Sequence, residues 1–222
     1  MKARQFQKLA NRHIIPNLEG FAAKGALVFQ KPLRNMLFGF CFQSSQFDPA
    51  RFNVEAFVQP LYIPLSHFVF NFGFRLGQSV GLGGKWWNLT ERNEKEVMGE
   101  VLFLMKDEGL NHFLKLNSPI FLARELQSQL ETSKKPNGFY MEVISTSLIL
   151  AEKKDEAQIE VNRLIYHLVE KDKLREYEKE QLDRMKRLQS LLKKDTVKAA
   201  LGLINEWRQY SIKHLKLEDF VT

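Results

Sequence analysis

The chain is predicted to be an α+β protein, with an N-terminal helix on an antiparallel sheet of about four strands, followed by an all-helical C-terminal region with a long helical hairpin. Three observations predict this. Twelve of the eighteen phenylalanines fall between Phe21 and Phe74. Inside that stretch they recur at every second position, at Phe38, Phe40 and Phe42 and again at Phe68, Phe70, Phe72 and Phe74, the period of a half-buried strand. Beyond Asn88 the chain turns charged, and its apolar residues recur at helical spacing. The expected domains are residues 1–88, helix plus sheet, and residues 89–222, a helical region that packs on the sheet and extends as an interaction arm.

Residues 3–15 read as the first helix, with Phe6, Leu9, Ala10 and Ile14 near helical spacing and Pro16 just beyond. Gly20 to Gly25 is expected as a turn feeding a strand over 26–30. Lys31-Pro32 begins the next turn, and Met36–Gln43 is the next strand. Phe52–Gln59 follows as a strand that Pro60 and Pro64 confine to an edge or an end. His67–Leu76 is the clearest strand of all, with its four phenylalanines on one face. Gly77–Gly84 reads as a flexible break.

Helical signals then take over. Thr90 is placed to cap a helix from about Glu91 to Lys106, and Gly109 punctuates it. Ser118-Pro119 starts another helix, to about Glu131, with proline at its first position. Residues 133–138 form a turn. Phe139–Ala151 has a strand's β-branched content but a helix's position among its neighbours, which favours a helix. From 155 to 194 there is neither Pro nor Gly. An unbroken helix of that length would span roughly 60 Å at 1.5 Å per residue, so a projecting hairpin or a break near Lys171–Lys173 is expected. Asp195 or Thr196 caps a last helix to about His214, with Val197, Leu201, Ile204 and Trp207 facing inward.

No stretch of the sequence holds the ~18 uninterrupted apolar residues that a membrane helix needs. The basic N-terminal residues have no signal-like apolar run behind them. The single cysteine, Cys41, has no partner for an internal disulfide. Together these predict a cytoplasmic protein with no membrane partner. The net charge is +7, and by sequence the whole excess lies in residues 1–90, with ten Lys/Arg against three Asp/Glu. A basic surface of that kind attracts nucleic acid or an acidic protein, although solubility alone accounts for an excess this modest.

The helix followed by Gly20-Phe21-x-x-Lys24-Gly25-x-x-Val28-Phe29 resembles the opening of a widespread bacterial family of small proteins known only as a domain of unknown function. The resemblance covers about residues 3–77 and rests on a short, mostly structural motif. It implies an α+β domain in which Gly20 and Gly25 shape the turn while Phe21 and Phe29 pack helix on sheet. It implies no activity. Its association with toxin and antiviral-defence neighbourhoods implies a binding role.

Catalytic and metal signals are thin. The glycine run ending in Lys85 departs from a phosphate-binding loop at Ser79 and Trp86. His13, His67, His112, His167 and His214 are dispersed, none at metal-ligand spacing, so no metal and no cofactor is expected. His167 and Glu170 stand one helical turn apart with no second copy to complete a carboxylate site. Cys41 becomes a nucleophile only if His67 lies on the neighbouring strand; a structural thiol is the simpler reading. Glu19, Asp48 and Glu55 are the only carboxylates before residue 90, too few for a metal-dependent nuclease.

Trp86 and Trp87 beside Lys85 stand out, because adjacent residues of a strand cannot both face one core. One indole should remain exposed, as a protein-contact anchor or a base-stacking platform, unless sheet and helix share both. The expected function is a non-enzymatic protein-interaction subunit of bacterial accessory or immunity (defence) type, with Trp86, Trp87 and Lys85 touching the partner. The alternatives are a nucleic-acid-binding module that uses Lys24, Arg34, Arg51 and Arg75, and an enzyme with an unfamiliar site.

Overall fold

The computed structural model describes residues 1–78, 83–133, 135–194 and 197–221. The protein is α+β, built as two compact units. The first comprises Met1–Gln59, Phe68–Lys115 and Leu217–Thr222; the second comprises Pro60–His67 and Leu116–Lys216.

The first unit is organised by an antiparallel sheet that has six strands among the described residues, where about four were expected. They are β1 (Phe21–Lys24), β2 (Leu27–Gln30), β3 (Met36–Ser44), β4 (Arg51–Pro60), β5 (Phe72–Arg75) and β6 (Trp87–Asn88). The order is β1-β2-β3-β4-β5, with β6 also pairing to β4. The stretch from Gly20 to Gly25 is therefore not simply a turn. It contains β1, and Gly25, at φ +61°, makes the tight corner into β2 with register Lys24↔Leu27. A left-handed corner of that kind suits glycine, which has no Cβ to clash. Pro60 does sit at a strand end, but β4 is not an edge, since β3 flanks it on one side and β5 and β6 share the other.

The sharpest correction concerns His67–Leu76. Only Phe72–Arg75 is strand; Phe68 and Phe70 precede it in irregular chain. Period-2 spacing allows a strand but needs a neighbour to bond, and β5 pairs with β4 only from Glu55↔Arg75 to Val58↔Phe72. Beyond that point β4 ends in Pro60, which has no N–H to donate, and the Gln59 side chain accepts the Val69 N–H instead, at 3.1 Å. Phe70 still packs edge-on against Phe57, ring centroids 5.0 Å apart.

One sheet face carries Phe40, Phe42, Phe52, Val54, Ala56, Val58 and Phe72, all buried. Helix α1 (Ala3–Leu9), continued by a π-helical turn over Ala10–Ile14, lays Phe6 on Phe42 and Phe52. The other cover is α2 (Glu94–Leu104), a π-turn (Met105–Gly109) and α3 (Leu110–Lys115), whose Phe113 packs on Phe40 with centroids 5.0 Å apart. Helix α2 begins at Glu94 after Asn93, later than the expected Thr90 cap. The Arg12 guanidinium and His13 ring both meet Glu94, at 2.8 and 2.7 Å, joining the two covers. Those hydrogen bonds, His13 first, hold the Glu94 carboxyl below its usual range. Gly109 touches the sheet so closely that a Cβ there would lie 2.3 Å from the Phe40 ring.

The second unit is a helical bundle around α5 (Gly138–Leu150), which is buried continuously from Met141 to Ile149. It packs against α4 (Pro119–Ser133), α6 (Lys154–Val169), α7 (Glu176–Lys193) and α8 (Val197–His214). Asn137 caps α5 by accepting the Tyr140 N–H at 3.2 Å. A helix apolar on every side must be central, and its few polar groups are satisfied internally. Ser145 and Thr146 donate to carbonyls one turn back, and Ser147 meets the Tyr62 hydroxyl at 2.6 Å. The buried Glu142 carboxylate takes a bidentate grip from Arg184, at 2.7 and 3.2 Å, and a third bond from Gln181 at 2.7 Å. In α8, Ile204 and Trp207 are buried, whereas Val197 and Leu201 are only half-buried; the expected caps Asp195 and Thr196 lie outside the described residues.

The long stretch over 155–194 without Pro or Gly is two helices broken at 170–175, and α6 and α7 both pack within the bundle. Glu178 fixes the second start. It accepts Lys171 Nζ at 2.7 Å and the Arg175 N–H at 2.9 Å. These bonds, Lys171 foremost, hold its carboxyl down to about 2. A depressed carboxyl stabilises the fold above the ordinary carboxylate range, and that contribution fades as pH falls toward about 2.

Two glycine substitutions separate packing from propensity. Gly109→Ala drives a methyl into the buried Phe40 ring and should cost about 1–3 kcal/mol in urea denaturation. In α2, Gly99 has open space where a Cβ would go, so Gly99→Ala should stabilise by about 0.5–1 kcal/mol through helix propensity alone.

Candidate functional site

The site grows from the pleat of β4. Phe52, Val54, Ala56 and Val58 point to the helix-covered face, so Arg51, Asn53, Glu55 and Phe57 point to the other. Register then brings partners alongside, since Arg75 of β5 pairs with Glu55 and Asn88 of β6 pairs with Arg51. The adjacent tryptophans divide. Trp87 pairs with Phe52, stacks on it with centroids 5.6 Å apart, and is buried at 2% exposure. Trp86 turns to the opposite face and keeps 36% of its surface exposed.

Two guanidinium groups lie over the exposed indole, Arg75 at 5.1 Å and Arg51 at 5.7 Å from the ring centroid. Cation–π contacts at exposed sites are worth about 0.5–1 kcal/mol each, which helps offset the mutual repulsion of two like charges. Arg75 is further held by donating from Nη1 to the Gly83 carbonyl at 2.7 Å. Its Nε is buried with no hydrogen-bond partner among the described residues, as is the Asn53 Oδ1 on the same face. Glu55, beside them, accepts from Gln43 Nε2 at 2.8 Å. Burial raises its carboxyl above the usual range, against the lowering effects of Gln43 and Arg75. The cluster is thus a half-exposed aromatic ring bracketed by two fixed cations, with one damped carboxyl at its side.

The other expected site residues go elsewhere. Lys85 forms an ion pair with Glu100 of α2, and the Trp87 indole N–H donates to the same carboxylate at 3.0 Å. Lys24 lies on β1 with its ammonium 5.7 Å from the Phe220 ring. Since β1 stands three strands from β4, at ~4.8 Å per strand Lys24 is ~14 Å across the sheet from the cluster. Arg34 is exposed in the loop between β2 and β3. Structure therefore joins Trp86 to Arg51 and Arg75, residues that sequence reasoning had assigned to two different functions, and leaves Lys24, Arg34, Lys85 and Trp87 apart. Glu100 and Asn53 were missed; no local motif marks them, and only the strand register and the fold of α2 reveal them.

Charge is redistributed in the same way. The first unit contains fourteen Lys/Arg and eleven Asp/Glu, a net +3, because residues 91–108 contribute six carboxylates. Of the glycine run Gly77–Gly84, residues 79–82 lie outside the described residues.

Four groups weighed for catalysis are placed as follows. Burial, and secondarily the Glu55 charge, push the Cys41 thiol up to about 12, so it is not a thiolate at neutral pH. His67 is not on a strand. A hollow of about 370 Å³ beside α3 includes Glu108 and His112. There Glu108 accepts the Gly77 N–H at 2.7 Å, and a His112 ring nitrogen lies 3.1 Å from the Phe72 carbonyl. Among the described residues no three His, Cys, Asp or Glu side chains are gathered to hold a metal ion, and no helix is long and apolar enough to cross a membrane.

No family model, no curated protein and no solved structure matches the chain.

The division of the tryptophans is measurable. Trp87→Ala empties a buried, stacked position and should cost about 3–5 kcal/mol in chemical denaturation. Trp86→Ala should cost about 1–2 kcal/mol, the loss of two exposed cation–π contacts. Cys41 should react slowly with a disulfide reagent from pH 7 to about 9.5 in the native protein, and at the rate of a free thiol in guanidinium chloride; rapid native labelling near neutral pH would contradict its raised pKa.

Proposed function

We propose that the chain is a non-catalytic binding subunit that docks an acidic segment of another protein on the Arg51–Trp86–Arg75 cluster. The observation that carries this reading is the bracketing of a half-exposed indole by two guanidinium groups on one sheet face. Trp and Arg are the residues most enriched where binding energy concentrates in protein interfaces. Arg75 is already oriented by Gly83 and by the ring, so little side-chain entropy remains to be lost when a carboxylate arrives. In this reading the protein acts as an accessory or immunity-type subunit.

The same indole supports a second reading, single-stranded nucleic acid, because a base stacks on any exposed aromatic face. The charge pattern favours the first. Two arginines at the indole supply few phosphate contacts, and eleven carboxylates share the unit with fourteen cations.

Immobilised wild-type protein and the R51E/R75E and W86A variants separate these readings when challenged with lysate of the native host. The expected result is an acidic protein retained by wild type at about 150 mM salt and lost from both variant resins. Identical retention on all three would overturn the proposal. Labelled oligothymidine should not bind wild type at that salt concentration; binding that R51E/R75E abolishes would instead establish the nucleic-acid reading.

A further inference from the structure

In the helical unit an open groove of about 410 Å³ runs between α7 and α8. Leu191 and Leu203 contribute its apolar surface, and Ala199 and Gly202 keep its α8 side low. Nothing lies within 4 Å of where a Gly202 Cβ would stand. An open helical glycine alone says little, since Gly99 is open as well. At Gly202 the opening coincides with the groove, and mid-helix glycine costs about 1 kcal/mol relative to alanine.

The two lips carry opposite charges. Arg187 stands exposed on α7 and Glu206 stands exposed on α8, and neither has an ion-pair partner among the described residues. One turn beyond Glu206, Tyr210 is 43% exposed and stacks on His214 with ring centroids 3.8 Å apart. It extends the apolar surface along α8.

We propose that this groove is a self-association surface, occupied by the same groove of a second copy of the chain. The argument is one of symmetry and charge. A two-fold axis that lies in the interface plane and runs along the groove exchanges its lips, so the α7 lip of one copy faces the α8 lip of the other. With Arg187 on one lip and Glu206 on the other, this single operation forms two Arg–Glu pairs at once, one on each side of the axis. A groove with lips of one sign would repel its copy under the same operation. The low α8 side lets the helices approach closely, and α7 and α8 of both copies together make a four-helix arrangement of the kind that buries an apolar seam.

Sedimentation velocity over about 1–200 µM tests this, since association is concentration-dependent. Wild type should shift from monomer to dimer within that range. R187E and E206R should each raise the dissociation constant at least tenfold, because each places like charges together across both sides of the axis. The double variant R187E/E206R should restore it to near the wild-type value, since the lips are again opposite in sign. G202L should block association while circular dichroism and the melting temperature stay close to wild type, because the added side chain enters open space. A wild type that remains monomeric throughout overturns the proposal. So does a dimer indifferent to the single reversals, which would use another surface, or a double reversal that restores nothing. If instead a different protein is retained and lost with R187E alone while the chain stays monomeric, the groove binds that protein and not a second copy.

Discussion

Burial of one aromatic sheet face is the constraint on which the first unit depends. Phe6 closes it from α1, Phe113 closes it from α3, and Gly109 lets the helical cover settle onto Phe40. Each fully buried phenylalanine contributes roughly 1.5–3 kcal/mol relative to exposure, so the direction in which the strands present these rings is strongly enforced. Strand geometry then leaves no choice about the alternate residues. With Phe52, Val54 and Ala56 turned inward, Arg51, Asn53 and Glu55 must take the opposite face. The candidate site is a consequence of the core.

The helical unit solves a different problem. Its central helix is apolar all round, yet it carries Glu142, Ser145, Thr146 and Ser147, all buried. Hydroxyls can be satisfied by the helix itself, one turn back, and two of them are. A carboxylate cannot, and Glu142 draws Arg184 and Gln181 inward from α7. Removing one member of a buried ion pair is costly because the other is left uncompensated. This network therefore favours one rotational setting of α7 against α5, and with it the face that α7 turns toward the groove it shares with α8.

In the first unit, Cys41 is half-buried with its thiol pushed up to about 12, Glu108 accepts a backbone N–H, and His112 lies against a carbonyl. One unit carries an indole with two guanidiniums over it, and the other a groove with Arg187 on one side and Glu206 on the other.

Much of the local structure was legible from residue order alone. Alternation marked β3, Pro119 marked the start of α4, and the division of Trp86 from Trp87 followed from the pleat, since adjacent residues cannot share a face. These are short-range properties, set by backbone geometry within a few residues. Where the inference failed, the missing information was long-range. Phe68 and Phe70 have a strand's spacing but no strand to bond, because β4 ends at Pro60. The basic excess of the first ninety residues is diluted because the helices that cover their sheet bring six carboxylates with them. Arg51, Arg75 and Trp86 form one cluster only because the register of β4 with β5 and β6 places them there. Residue order determined which side of each strand a residue takes; only the folded chain decided which strands, and so which charges, would meet.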